Sequence, residues 1–226
     1  MMPSGVYAAI FDLDGVLTST SARHEQSWSD AARAFNIPIT EAALRATRSI
    51  PRASSLAALL AHADVALTES DSNAIMAFKN RRYRELIAGL LPTDAFRGAR
   101  EALERCRALG VRTAVASASL NAREVLDRLS LLPLVDVVAD PSKAEPKPSA
   151  EIYRLACAAL GAIQENAVCI EDGAPMIANL RADGLYTVGI GEHPLRAHEQ
   201  FESIAEWDVE ATIELLEAQR YHASRR

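Results

Sequence analysis

The chain has 226 residues, 49% of them apolar, and a formal net charge of −6. That length and apolar share suit one α/β domain carrying a smaller insert and leave no case for disorder. The negative balance argues against nucleic acid or an anionic membrane as a partner, because both reward clustered positive charge, so an anionic ligand must be held by local cations.

In chain order, the first strand signal is the apolar run at 6–11, which leads into FDLDG. Residues 18–92 then read as several consecutive helices, including a long one near 70–90, with no strand among them. This predicts an all-helical insert between core segments 1–17 and 93–226, with the polar run Thr18 to Ser21 and Pro92 at its hinges. From residue 98 onward helix and strand alternate. A helix over 98–109 stops at Gly110, and strands are expected at 111–116, 134–139, 167–170 and 185–190. Between 149 and 161, Ile152, Leu155, Ala156, Ala159 and Leu160 recur at helical spacing, with Gly161 as the stop. Such alternation builds βαβ units, so the expected fold is α/β, a Rossmann-like parallel sheet with helices on both faces and the helical cap inserted after its first strand.

Two further absences narrow the setting. Cys106, Cys157 and Cys169 lie in apolar surroundings without zinc or disulfide spacing, which fits thiols in a reducing compartment. No apolar run is long enough for a membrane span and no basic-then-apolar leader opens the sequence, so the expectation is a cytoplasmic protein, a monomer or weak oligomer.

The chemistry concentrates where the strands end, which is where open parallel sheets bind ligands. In an extended backbone residues two apart face the same way, so Asp12 and Asp14 converge on one volume. Like charges that close call for a cation or a shared proton. The second run is followed by Ser117, the third by Lys147 in EPKPS, and the fourth by Glu171 and Asp172. Carboxylates gathered around one point suit magnesium, which takes one or two of them together with water and a substrate phosphate. In a phosphoryl-transfer site Asp12 would be the nucleophile and Asp14 the general acid and base, with Ser117 and Lys147 on the transferring group.

FDLDG, the Ser117 that follows VRTAVA, Lys147 in KP, and IEDG stand in the order of the four motifs of the haloacid dehalogenase superfamily, which the chain resembles. Further stretches, FDLDGVLTSTSARH, RSIPRASSL, FKNRRY, ASASLN and ADPSKAEPKP, are similar to its β-phosphoglucomutase-like subfamily. The resemblance implies a magnesium cofactor, a small phosphorylated sugar as substrate, and isomerisation of β-glucose 1-phosphate to glucose 6-phosphate through a bisphosphate. It implies that Asp12, Asp14 (through its backbone carbonyl), Glu171 and Asp172 surround the metal. It also implies that Thr20 and His24 couple cap closure to Asp14, that Arg52 grips the distal phosphate, and that Trp28, Lys79, Ser119 and Asn121 line the sugar.

Blander readings stand beside these. His24 and Trp28 fit helix packing, Asn121 with Glu124 fits a helix-start capping pair, and Arg52 fits a solvated charge. Gly189 and Gly191 make no dinucleotide fingerprint. Ser19, Ser49, Leu120 and the GAPM loop after Asp172 depart from the mutase pattern. A sugar-phosphate phosphatase using the same aspartates, and a non-catalytic binding protein, therefore remain as alternatives to a mutase.

Overall fold

A computed structural model describes residues 6–47 and 50–223, which leaves Ser49 outside the described residues. The chain starts with β1 (Ala8–Phe11) and continues through α1 (Ser21–Ala34), α2 (Glu41–Arg45), α3 (Arg52–Ala63) and α4 (Glu69–Ile87). It then alternates α5 (Ala99–Ala108), β2 (Arg112–Val115), α6 (Ala122–Arg128), β3 (Val137–Val138), α7 (Glu151–Leu160), β4 (Ala167–Glu171), α8 (Ala174–Ala182), β5 (Tyr186–Ile190), β6 (Glu199–Phe201) and α9 (Val209–Ala223). Two units result, one formed by the chain up to Ser19 and from Pro92 onward, the other by Thr20–Leu91.

The first unit is a six-stranded sheet in the order β3-β2-β1-β4-β5-β6, every neighbouring pair parallel, with helices on both sides. β1, β4 and β5 are buried along their whole length. Strands covered on both faces have no polar side to show, which is why they read as continuous apolar runs. β1 lies between β2 and β4, with Phe11 in register with Val115 on one side and Ile170 on the other. β2 ends level with β1 and β4 runs one residue further, to Glu171, so the residues that follow the three strands are delivered to one rim.

Three expectations need correction. Of the run 134–139 only Val137 and Val138 pair, since Leu132–Leu134 is drawn into a 3-10 turn and the short strand sits half-buried at the sheet edge. β6 has no counterpart in the predicted strands: its half-exposed EQF carries no apolar run, and its place comes from pairing with β5. The stripe of α7 is also turned from the predicted one. Ile152, Tyr153, Ala156, Cys157 and Leu160 are buried, whereas Leu155 and Ala159 face out.

The units divide at Ser19/Thr20 and Leu91/Pro92, against expected divisions at 17/18 and 92/93. Thr18 belongs to the sheet unit because its hydroxyl donates to the Asp94 carbonyl at 2.8 Å and its own carbonyl accepts from the Gly15 N–H at 2.8 Å. The helical unit packs Trp28, Ala31 and Ala32 of α1 against Leu56 and Leu59 of α3 and Ile75 of α4, with Ala43 of α2. Thr40 and Thr68 cap α2 and α4 by accepting the Ala43 and Asp71 N–H groups, which satisfies donors that the helix itself leaves open.

Candidate active site

At the rim of the sheet unit, the Asp12 N–H donates to the Ile170 carbonyl at 2.9 Å, so ladder pairing continues one residue beyond β1 and fixes the Asp12 backbone against β4. β4 itself ends in Glu171 and is followed by Asp172. One carboxylate oxygen from each of Asp12, Glu171 and Asp172 falls within 4.8 Å of the others. The chain closes in on Asp172 at Gly15, where φ is +95° and a Cβ would sit 1.8 Å from Asp172 Oδ2. No residue with a side chain fits that turn.

Lys147, placed just before α7 in a cis Lys147-Pro148 segment, is the counter-charge. Its Nζ donates to Asp12 Oδ1 and to Glu171 Oε1, both at 2.8 Å, and its side chain is 7% exposed. Tyr153 Oη lies 3.3 Å from the same Nζ and donates to Glu171 Oε1 at 3.1 Å. The other Glu171 oxygen accepts the backbone N–H groups of Asp172 and Gly173 at 2.8 and 3.0 Å. Both Glu171 oxygens are thus engaged by the protein, and Glu171 is the anchor of Lys147. This role was not legible from the sequence, where Glu171 stood only beside the metal.

The charges explain one another. Glu171 is buried, which by itself would raise its pKa, but Lys147 and the two N–H donors outweigh burial and hold it below the usual carboxylate range. Asp12 is pushed up to about 7, first by burial, against which Lys147 pulls, and then by Glu171 and Asp14. Asp172 is more exposed, yet partial desolvation and the charges of Glu171 and Asp12 raise it to about 8. Three carboxylates share one ammonium, and two of them are reluctant to ionise. That is the donor set and charge deficit a divalent, oxygen-seeking cation relieves, so the cluster of Asp12, Glu171 and Asp172 fits such an ion, magnesium included.

Asp14 is half-buried and outside this cluster, felt at Asp12 as a weak like charge. Ser117 is buried two residues past the end of β2, and its Oγ accepts the Ser119 N–H at 3.1 Å, while Ser119 Oγ accepts the Asn121 N–H at 3.2 Å. The loop is thereby wound by its own hydroxyls. The Asn121 side chain accepts no backbone N–H of α6, while its own backbone N–H is taken by Ser119 Oγ, so the turn through Ser119 leads into the helix.

The other predicted residues belong to the helical unit. Lys79 is 3% exposed and donates to His24 Nδ1 at 2.7 Å. Burial, with the charges of Lys79 and Arg52, lowers His24 to about 3, so it is a neutral ring with its proton on Nε2. His24 stacks on Tyr83 at 3.9 Å, and Tyr83 Oη is 2.9 Å from Thr20 Oγ1. Arg52 opens α3 and donates to Asn80 Oδ1 at 2.7 Å. Trp28 is buried in the core of the unit, 5.3 Å below Lys79 Nζ. The structure therefore gathers Thr20, His24, Lys79 and Arg52 around Tyr83 and Asn80, two partners that sequence reading did not single out although FKNRRY contains both.

A buried lysine between two carboxylates, with a third beside them at the rim of a parallel sheet, is a site suited to phosphoryl chemistry. The chain belongs to the haloacid dehalogenase-like hydrolases, whose family model matches residues 6–182. It is an enzyme of that family, a phosphotransferase or a phosphatase. It is 31% identical over 188 residues to a β-phosphoglucomutase of Bacillus subtilis, covering 82% of this chain and 83% of that one. To a phosphorylated carbohydrates phosphatase of Thermotoga maritima it is 30% identical over 186 residues, 79% and 82% of the two chains. Among solved structures it superposes on a β-phosphoglucomutase from Clostridium difficile with a TM-score of 0.87 at 26% identity, over 96% of this chain and 99% of that one.

Proposed function

We propose that the protein is a magnesium-dependent β-phosphoglucomutase, which converts β-glucose 1-phosphate to glucose 6-phosphate by way of glucose 1,6-bisphosphate. The observation that carries the phosphoryl-transfer core of this reading is the buried Lys147 bridge between Asp12 and Glu171. An ammonium that donates to Asp12 favours its carboxylate, the form that attacks phosphorus. Bound between Asp12, Asp172 and the Asp14 segment, magnesium would neutralise charge on the phosphoryl group and keep Asp12 ionised.

Asp12 attacks phosphorus as the bond to the sugar oxygen breaks, leaving an aspartyl phosphate. Asp14 gives the departing oxygen its proton, then takes one from the next hydroxyl to attack. Ser117 and Lys147 hold the phosphoryl oxygens as their charge grows. A mutase must hold a second phosphate, and Arg52, whose forked guanidinium suits phosphate, is the residue we assign to it. The 31% identity to the Bacillus mutase supports this choice of acceptor.

The second reading, a sugar-phosphate phosphatase, is favoured by the Thermotoga relative and differs only in letting water take the phosphoryl group from Asp12. A coupled assay for glucose 6-phosphate, run on β-glucose 1-phosphate with magnesium and the bisphosphate beside an assay for free phosphate, separates the two. Conversion with little release is the expected result; release without conversion selects the phosphatase. Asp14→Ala is expected to bind sugar phosphate while turnover falls on the order of 10²–10⁴-fold, and steady-state rates with a separate binding measurement check it. An unchanged rate would remove Asp14 from the proton transfer.

A further inference from the structure

Tyr153 is wholly buried on the inner face of α7, where its neighbours Ile152, Ala156, Cys157 and Leu160 are apolar. Phenylalanine would fill the same space without a polar atom to satisfy. The hydroxyl nevertheless reaches the site: it donates to Glu171 Oε1 at 3.1 Å and stands 3.3 Å from Lys147 Nζ, whose ammonium also lies 5.0 Å from the centroid of the Tyr153 ring. A phenol has one proton. With that proton spent on Glu171, the oxygen can only accept from Lys147.

The ammonium then has three acceptors, Asp12 Oδ1, Glu171 Oε1 and Tyr153 Oη, one for each of its hydrogens. A third acceptor leaves the ammonium no hydrogen without a partner and so restricts its rotation further than two would. We propose that Tyr153 is a positioning residue for phosphoryl transfer, its hydroxyl locking the Lys147 ammonium onto Asp12. The inference rests on the reading that Asp12 accepts the phosphoryl group, and it adds that the lysine is held in place from α7. Positioning matters because donors aimed in advance at a developing charge need no reorganisation during the reaction.

The test compares Tyr153→Phe, which removes only the hydroxyl, with Tyr153→Leu, which removes the ring as well. Turnover is followed with magnesium and acetyl phosphate, a donor that makes no demand on sugar recognition. Lysine side chains labelled with ¹⁵N report the Lys147 ammonium, identified by its loss in Lys147→Met, with buried Lys79 as the internal control. Removing one hydrogen bond to a charged group is expected to lower kcat about tenfold at unchanged KM and to speed Lys147 proton exchange by a similar factor. Tyr153→Phe should already show the full effect, with its melting temperature near that of the wild type and Lys79 exchange unmoved. A phenylalanine variant that keeps both kcat and the exchange rate, with only the leucine variant impaired, assigns Tyr153 to packing and overturns the proposal. So does a lowered kcat with Lys147 exchange unchanged. If the wild-type protein turns over neither acetyl phosphate nor a sugar phosphate, the function proposed above fails, and the exchange rate alone decides Tyr153.

Discussion

Asp12→Asn is expected to abolish turnover, by a factor on the order of 10⁴ or more, because the amide matches the carboxylate in shape and has no charge with which to attack phosphorus. The same change is expected to stabilise the metal-free protein at neutral and higher pH. Burial, set against the pull of Lys147, raises Asp12 from 3.8 to about 7. Between those values the folded state binds more protons than the unfolded chain, so stability falls as pH rises through this window. Asparagine carries no such cost. Thermal melts in a chelator should therefore show the variant above the wild type at pH 8 and level with it at pH 3, and magnesium should raise the wild type more than the variant. A variant with measurable turnover would remove Asp12 from the centre of the reaction, whereas one less stable at pH 8 would show that the pairing with Lys147 outweighs the burial of its charge.

The second large effect is on stability as well as rate. In Lys147→Met the methylenes are retained and the ammonium is lost, so Asp12 and Glu171 face each other buried with no cation between them. Breaking a buried pair from one side costs about 3–5 kcal/mol, where exposed pairs such as Arg45 with Glu41 contribute about 0–1. For a chain of this length that corresponds to a melting temperature lower by roughly 10 °C. Adding Glu171→Gln removes one of the stranded charges and should restore part of the loss. Urea titrations of the wild type, the single variants and the pair measure this coupling, and additive losses would contradict it.

Much of this was legible in the sequence, for identifiable reasons. β1, β4 and β5 are buried on both faces, so burial wrote them as apolar runs. The site residues at the ends of β1, β2 and β4 could be named because a parallel sheet delivers its ligands at one end. What stayed hidden depends on pairing and rotation. β6 is polar and half-exposed, and β3 is two residues long, so only their neighbours define them. Tyr153 was hidden because its position shares the period of the α7 stripe, and the helix is rotated so that Leu155 and Ala159, which also fit the period, face outward. The occupied oxygens of Glu171 follow from four donors, the neighbouring Asp172 and Gly173 N–H groups and the distant Lys147 and Tyr153, and only folding brings the last two to it.

The place of β1 between β2 and β4 bears on how the protein is made. A ribosome delivers the AAIF strand about a hundred residues ahead of one flank and more than 150 ahead of the other. Until both arrive, a sticky tetrapeptide that must end at the heart of the sheet has nothing to lie against, while the all-helical Thr20–Leu91 segment, built from close-range contacts, can mature early. Yield in cells should consequently respond to chaperone supply through this one waiting strand.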